Sequence, residues 1–315
     1  MIPLREDAVK TFFLGVEVYA FGLYVALGLA LALIVLAVLL KKHGFIPGTA
    51  ALTGTLALAI GLCVARLFFG LMDGSLGQIM PLWAMAQLPS GGYSMMGAML
   101  GACMGAVAAA AITKQNGARL LDHLSVSLML FVACERLGEG YIPDFGVSRT
   151  LTDDLLNNTF LATDGCLNTY LLESLIALVL AIVLLRDLGM KRRGGDTFLK
   201  FLLLFGATQV LMESLRYDRH MTVRAFVRLE MIMAMMLLGT AVILLAVRNL
   251  KTRRGLALAG LISIPLTVGL GVLIEFMIDR STVSHYLLYA AFIAVLAVPA
   301  YLGLRLRRED ASGKA

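Results

Sequence analysis

Charge is what this chain has least of: Asp, Glu, Lys and Arg make up 15% of its 315 residues, where soluble domains carry roughly 25%. Hydrophobic residues fill 59%. That balance excludes a soluble globular domain. Proline and tryptophan are also scarce, at 7 and 1 residues, and apolar runs of about twenty residues recur along the chain. No ten-residue segments alternate between apolar and polar residues, which removes a transmembrane β-barrel from consideration. The four cysteines, Cys63, Cys103, Cys134 and Cys166, show neither a CxxC pair nor metal-ligand spacing and read as packing residues. No metal and no cofactor is implied. The net charge of +6 does not argue for nucleic acid, because the lysines and arginines fall in short loops beside apolar runs, where the positive-inside rule accounts for most of them.

What is present is an all-α pattern. In lipid the backbone has to satisfy its own hydrogen bonds, so apolar runs of this length are helices. A polytopic transmembrane helical protein of about nine spans follows, near residues 12–40, 49–71, 94–113, 120–135, 169–185, 198–214, 229–247, 256–278 and 285–304. Lys41, Lys42, Arg119, Arg192, Arg193, Arg253, Arg254 and Arg307 then share one side, expected to be cytoplasmic. The N-terminus is expected outside and the C-terminus inside. Three segments fall on the outer side. Residues 78–92, with Trp83, are expected along the membrane surface; 135–168 form a small turn-rich cap; 216–228 bring Arg216, Arg219, Arg224 and Arg228 to the side that should be poor in them.

The residues with chemical potential gather on that side. Cys134-Glu-Arg136-Leu-Gly138-Glu139-Gly140 follows a nearly uncharged run, and charges at the lip of a membrane helix commonly face a polar cavity and pair there. Gly138 and Gly140 are expected to let the backbone leave the helix, and Pro143 to position Asp144. A capped helix end with solvated charges is the plainer alternative. Guanidinium forks match phosphate, so the outer arginines suggest an anionic headgroup, against ordinary contact with the lipid surface. The spacing of Glu213 and Arg216 suits an ion pair, and that of Arg224 and Arg228 a shared helical face. Arg66 and Glu173 lie within apolar runs and need partners there, Glu173 or Asp73 being candidates for Arg66. Gly97 and Gly101 suit close helix packing.

Taken in order, these stretches resemble the prolipoprotein diacylglyceryl transferase family over roughly residues 17–247. Phe21-Gly22-Leu23-Tyr24 is similar to the end of its Arg-Trp-Tyr-Gly element, and Ala65-Arg66-Leu67 to its Gly-Ala-Arg-Leu. Gly91-Gly92-Tyr93-Ser94-Met95-Met96-Gly97 resembles Gly-Gly-Met-Ser-Phe-His-Gly. Arg136-Leu-Gly138 is similar to the Arg-x-Gly of the signature Gly-Arg-x-Gly-Asn. Leu172-Glu173-Ser174-Leu175 resembles Tyr-Glu-Ser-Leu, and Met212-Glu213-Ser-Leu-Arg216-Tyr-Asp218 resembles Val-Glu-x-x-Arg-x-Asp. The departures are as informative. Met96 stands at the family's histidine, Phe21 at a tyrosine, Glu139 at an asparagine, and Gln209 at an arginine four residues before the glutamate.

The resemblance implies a multi-pass enzyme of the bacterial inner membrane that moves diacylglycerol from a phosphatidylglycerol-like phospholipid to the cysteine thiol of a lipobox-containing prolipoprotein. A non-catalytic phospholipid-binding relative is the alternative. Residues 1–250 would be the transferase-like core of seven spans, and 251–315 two additional spans with a basic tail. The catalytic set it implies is Arg136, Arg216, Glu139 and Asp144, with His220 a further candidate base. Arg66, Gly91, Gly92, Tyr93, Met96, Gly97, Gly138, Glu173, Glu213 and Arg219 would form the substrate-binding set.

Overall fold

The computed structural model describes residues 10–13, 16–72, 92–142, 146–150, 161–163, 166–190, 193–216, 222–224 and 227–308. Nine long helices carry the described fold: α1 Ala20–Lys42, α2 Thr49–Met72, α3 Met95–Thr113, α4 Gly117–Glu139, α5 Thr169–Leu188, α6 Asp196–Leu215, α7 Leu229–Asn249, α8 Arg254–Arg280 and α9 His285–Arg308. Eight are long and apolar enough to cross a membrane. The other, α5, has the same 20-residue length as α6, which is about 30 Å of rise. Together they agree with the expected nine spans. The protein is a multi-pass membrane protein.

Two boundaries differ from the sequence reading in ways that matter. The first span starts at Ala20, not near 12, because Lys10–Phe13 (β1) and Val16–Tyr19 (β2) pair as an antiparallel hairpin. β-branched and aromatic residues at Thr11, Phe12, Phe13, Val16, Val18 and Tyr19 favour that pairing. The fourth span runs to Glu139, not to 135. Gly138 therefore does not release the chain from the helix. A Cβ there would lie 2.9 Å from Tyr24 Cβ, so its small size lets α4 approach α1.

The chain divides into two compact units, residues 1–189 with 216–221 and residues 190–215 with 222–315. In the first, α3 lies on α2 along a seam of small residues. At Gly101 a Cβ would stand 2.6 Å from the carbonyl oxygen of Ile60, so the two backbones touch. Gly97 continues the seam against Ala65. The packing expected of Gly97 and Gly101 is thus present. The faces of α1 turned away from its neighbours expose Leu27, Ile34 and Val38, as helices surrounded by lipid do, while Leu36, Leu39 and Leu40 are buried.

Short strands accompany the first unit's helices. Val147–Thr150 (β3), Ala162–Thr163 (β4) and Cys166–Asn168 (β5) form an antiparallel sheet in the order β3-β5-β4. It gives part of the expected cap a defined register. The second unit packs α6 to α9 around Leu203, Leu238, Leu245 and Phe292, with Phe201 and Phe205 stacked at 5.4 Å between ring centroids. Its hairpin, Thr222–Arg224 (β6) with Val227–Arg228 (β7), corrects the expectation of one helical face for Arg224 and Arg228. Arg224 instead lies opposite Val227 in the register, and Arg228 opposite Thr222. The surface segment proposed around Trp83 lies outside the described residues.

Candidate functional site

The last turn of α4 carries Glu135, Arg136 and Glu139. Because the helix continues through them, Arg136 and Glu139 are three residues apart on one face, the spacing at which side chains meet. The Arg136 guanidinium donates through Nη1 to Glu139 Oε1 and through Nη2 to Met95 Sδ at 3.0 Å. Its Nε lies 2.6 Å from Glu173 Oε2, an ion-pair contact. Glu173 comes from α5, which Ser174 fixes to α4 by donating from its hydroxyl to the Ala133 carbonyl at 2.7 Å.

Arg216, the residue after α6 in sequence, belongs to the first unit and completes the cluster. It donates through Nε to Glu173 Oε1 at 2.8 Å and through Nη2 to Glu139 Oε2. Its backbone is held by an antiparallel bridge to Ser148 of β3, whose hydroxyl in turn accepts from the Leu167 amide at 2.7 Å. The β3-β5-β4 sheet thus positions a guanidinium. Glu139 and Glu173 each bridge both arginines, and Arg136, the largest fully buried side chain among the described residues, is 2% exposed. Charges taken out of water are tolerated only with such partners. The arrangement is a pair of guanidinium forks aimed at shared anions, the geometry that grips a carboxylate or a phosphate.

A second group adjoins it through α3. Arg66, buried in α2, donates through Nη1 to the Gly92 carbonyl at 2.8 Å and lies 5.6 Å from the centre of the Tyr93 ring. Gly92 takes a positive φ of 77°, which an L side chain rarely adopts, and a Cβ there would strike the Phe69 ring. Ser94 then caps α3 by accepting from the Gly97 amide at 3.1 Å. On the other flank, the hydroxyls of Tyr24 and Tyr141 lie 3.2 Å apart over stacked rings.

The second unit holds its own buried ion pair. Glu213 accepts from Gln209 Nε2 at 2.9 Å and from Arg228 Nη1 at 3.1 Å. This corrects the expected pairing of Glu213 with Arg216, whose described carboxylate partners are Glu139 and Glu173. Gln209 is one helical turn from Glu213 and reaches one oxygen, which leaves the other for Arg228.

Of the sequence candidates, the structure brings together Arg136, Arg216, Glu139 and Glu173. It places Arg66, Gly92 and Tyr93 in a neighbouring group, and Gly97 and Gly138 in helix seams. Glu213 stands with Arg228. Met96 is 3% exposed, but the thioether on Arg136 belongs to Met95. Asp144, Gly91, Arg219 and His220 lie outside the described residues. Sequence reading missed Met95, since a methionine on an apolar helix signals only packing. Glu135 has no role in the sequence motif, although the helical phase it shares with Glu139, four residues on, signals it.

A family model described as prolipoprotein diacylglyceryl transferase matches residues 9–247. The chain belongs to the prolipoprotein diacylglyceryl transferase family. Proteins named phosphatidylglycerol–prolipoprotein diacylglyceryl transferase are similar to it: that of Bacillus velezensis is 25% identical over 211 residues, 62% of this chain and 74% of the relative. That of Bacillus licheniformis is 25% identical over 254 residues, 76% of this chain and 91% of the relative. That of Listeria innocua is 24% identical over 209 residues, 62% and 73% respectively. The family match includes α1 to α6 and nearly all of α7, and ends before α8 and α9. Against the family pattern, the chain's substitutions at Glu135, Glu139 and Gln209 all fall within the two ion-pair groups just described.

Proposed function

We propose that this protein is a membrane transferase that moves the diacylglyceryl group of a phosphatidylglycerol-like glycerophospholipid to the cysteine thiol of a lipobox-containing prolipoprotein. The convergence of the Arg136 and Arg216 forks on shared anionic positions carries this reading. In the step, the thiol sulfur forms a bond to the glycerol carbon of the lipid. The bond from that carbon to the phosphate oxygen breaks, the headgroup phosphate departs with the electron pair, and the thiol proton passes to a base. Arg136 and Arg216 hold the phosphate and stabilise the charge it gains on leaving, a task suited to cations already fixed in a water-poor site. Glu173 orients both. Glu139 becomes able to take a proton once a phosphate has replaced it on the guanidiniums, and Asp144 is the second candidate acid. Arg66, Gly91, Gly92, Tyr93, Met96, Gly97, Gly138, Glu213 and Arg219 would shape the lipid-binding surroundings.

The same reading places the protein in a bacterial inner membrane with its N-terminus outside. Residues 1–250 would form the transferase core, and 251–315 an addition to it. Labelling from the outside should modify a cysteine placed at 157 and spare one placed at 194; the reverse pattern would overturn the orientation.

The activity is tested by incubating purified protein with labelled phospholipid and a lipobox peptide, and measuring label on the peptide cysteine. A second reading, a phospholipid-binding protein without catalysis, is favoured by Met96, since a thioether cannot take a proton as imidazole does. Lipid binding without transfer by wild type or Met96→His, beside an active family enzyme, would establish it. Transfer by wild type would exclude it.

A further inference from the structure

We propose that Glu135 is the general base of the transfer, taking the proton of the acceptor thiol on its Oε2. The inference rests on the diacylglyceryl-transfer reading and deepens it, because that step needs a proton acceptor near the gripped phosphate. Each oxygen of Glu139 faces a guanidinium nitrogen, Oε1 that of Arg136 and Oε2 that of Arg216. Glu173 is held in the same way, Oε1 by Arg216 and Oε2 by Arg136. Lone pairs committed to such donors are closed to a thiol until a phosphate displaces them. Glu135 is different. Its Oε2 is buried and makes no hydrogen bond to any described residue, and its ion-pair contact, to Arg136 Nε, is long at 3.6 Å. Buried polar atoms are nearly always hydrogen-bonded, so an oxygen left in this state points to a partner that arrives with the reaction.

Its place in α4 suits the task. Residue 135 lies one turn before Glu139, about 6 Å along the axis and farther from the helix end. In a bilayer the diacylglyceryl part of a phospholipid lies on the interior side of its phosphate. A phosphate gripped by Arg136 and Arg216 near that end therefore turns its reacting glycerol carbon toward the level of Glu135. The thiol proton passes to Glu135 Oε2, the sulfur bonds to that carbon, and the carbon–oxygen bond breaks with its electron pair going to the phosphate. The proton then moves from Glu135 to the departing phosphate, which has gained charge. The charged groups around Glu135 are Arg136 and Glu139 on α4, Glu173 on α5 and Arg216 after α6, with Arg66 in the adjoining group. The arginines keep their protons at any working pH.

Two departures from the family pattern meet at this guanidinium. Glu135 stands where the signature has glycine, and Met96, where the pattern has histidine, follows Met95, whose sulfur touches Arg136 Nη2. The chain thus lacks a proton acceptor one residue from that contact and has one at the Nε edge of the same side chain.

The test uses the full chain in detergent and follows transfer of labelled diacylglycerol from phosphatidylglycerol to a lipobox peptide as pH is raised. At about pH 6.5, Glu135→Gln should lower kcat roughly 100-fold or more, with KM for the lipid within about twofold of wild type. The defect should shrink at least about tenfold by about pH 8.5, near the ordinary pKa of a cysteine thiol, because an acceptor that has ionised needs no base. A merely structural loss does not follow the ionisation of the acceptor. Wild-type kcat in Glu135→Gln, a defect of the same size at both pH values, or a loss confined to KM would overturn the proposal and leave the transferase reading intact. If Glu135→Gln does not fold, as judged by thermal unfolding, Glu135→Ala carries the same expectations, since alanine suits the helix and leaves the four bridges of Glu139 and Glu173 in place. Wild type that binds phosphatidylglycerol and transfers nothing, beside an active family enzyme, would overturn both.

Discussion

Among the described residues, a buried ion-pair group in the first unit and one in the second use the same residue types to different ends. In the first unit, two guanidiniums and two carboxylates bridge reciprocally, with a third carboxyl beside them. In the second, one carboxylate is shared by one guanidinium and one amide. A lone buried pair is weak evidence of anything beyond satisfied charge, because its desolvation offsets most of its attraction. Forks from separate chain segments meeting on the same anions are harder to attribute to that alone. They present a preformed anion grip, and the arginines come from α4 and from the segment bridged to β3. The comparison teaches that burial of charge does not mark function here; convergence does.

The largest effect should come from breaking the convergent group. Arg216→Ala should lower diacylglyceryl transfer by about 100- to 1,000-fold, as expected for loss of a preorganised cation. Arg216→Lys should be nearly as poor, because lysine keeps the charge but not the fork. Transfer rates for the two variants measure this, and wild-type activity in the lysine variant would reduce Arg216 to a point charge.

The lone pair should respond in stability. Arg228→Ala leaves Glu213 with its amide partner only, which should cost about 3 kcal/mol in thermal or denaturant unfolding. Adding Gln209→Arg should recover most of that loss, since residue 209 already reaches Glu213 from one turn away. Diacylglyceryl transfer should fall far less in both than in Arg216→Ala. A loss of transfer on removing Arg228 as large as that of Arg216→Ala would erase the distinction between the groups.

The smallest effect concerns support for the first group. Ser174→Ala removes the hydroxyl bond that holds α5 to the Ala133 carbonyl, and should lower stability by about 1 kcal/mol. Transfer should fall only modestly, because Glu173 keeps both arginine partners. A loss as large as that of Arg216→Ala would show that the position of α5 limits the site more than its charges do.

Much of the fold was legible because lipid leaves the backbone few choices: apolar runs of this length had to be helices, and the nine long helices among the described residues agree with the nine expected. Arg136, Glu173 and Arg216 stood out because charges are rare in such runs and these fell within or beside them. Glu139 was visible as a departure from a motif, but not as a bridge. The reason is the helix end. Glycines at 138 and 140 suggested an exit from α4, and only packing against Tyr24 shows that Gly138 serves close approach within a continuing helix. That continuation puts Arg136 and Glu139 on one face.

Sequence by itself thus determined the membrane class, the number of long helices and the scarcity that makes each buried charge conspicuous, all of which follow from composition and length. Tertiary structure decided the partners. Glu213 stands three residues from Arg216, but local spacing only permits a pair, and Arg228 takes the place in a hairpin fold-back that no local pattern announces. Arg216 reaches carboxylates 77 and 43 residues away, at Glu139 and Glu173. Such contacts depend on which helix ends packing brings together, and that is fixed by small-residue seams and strand bridges spread along the chain.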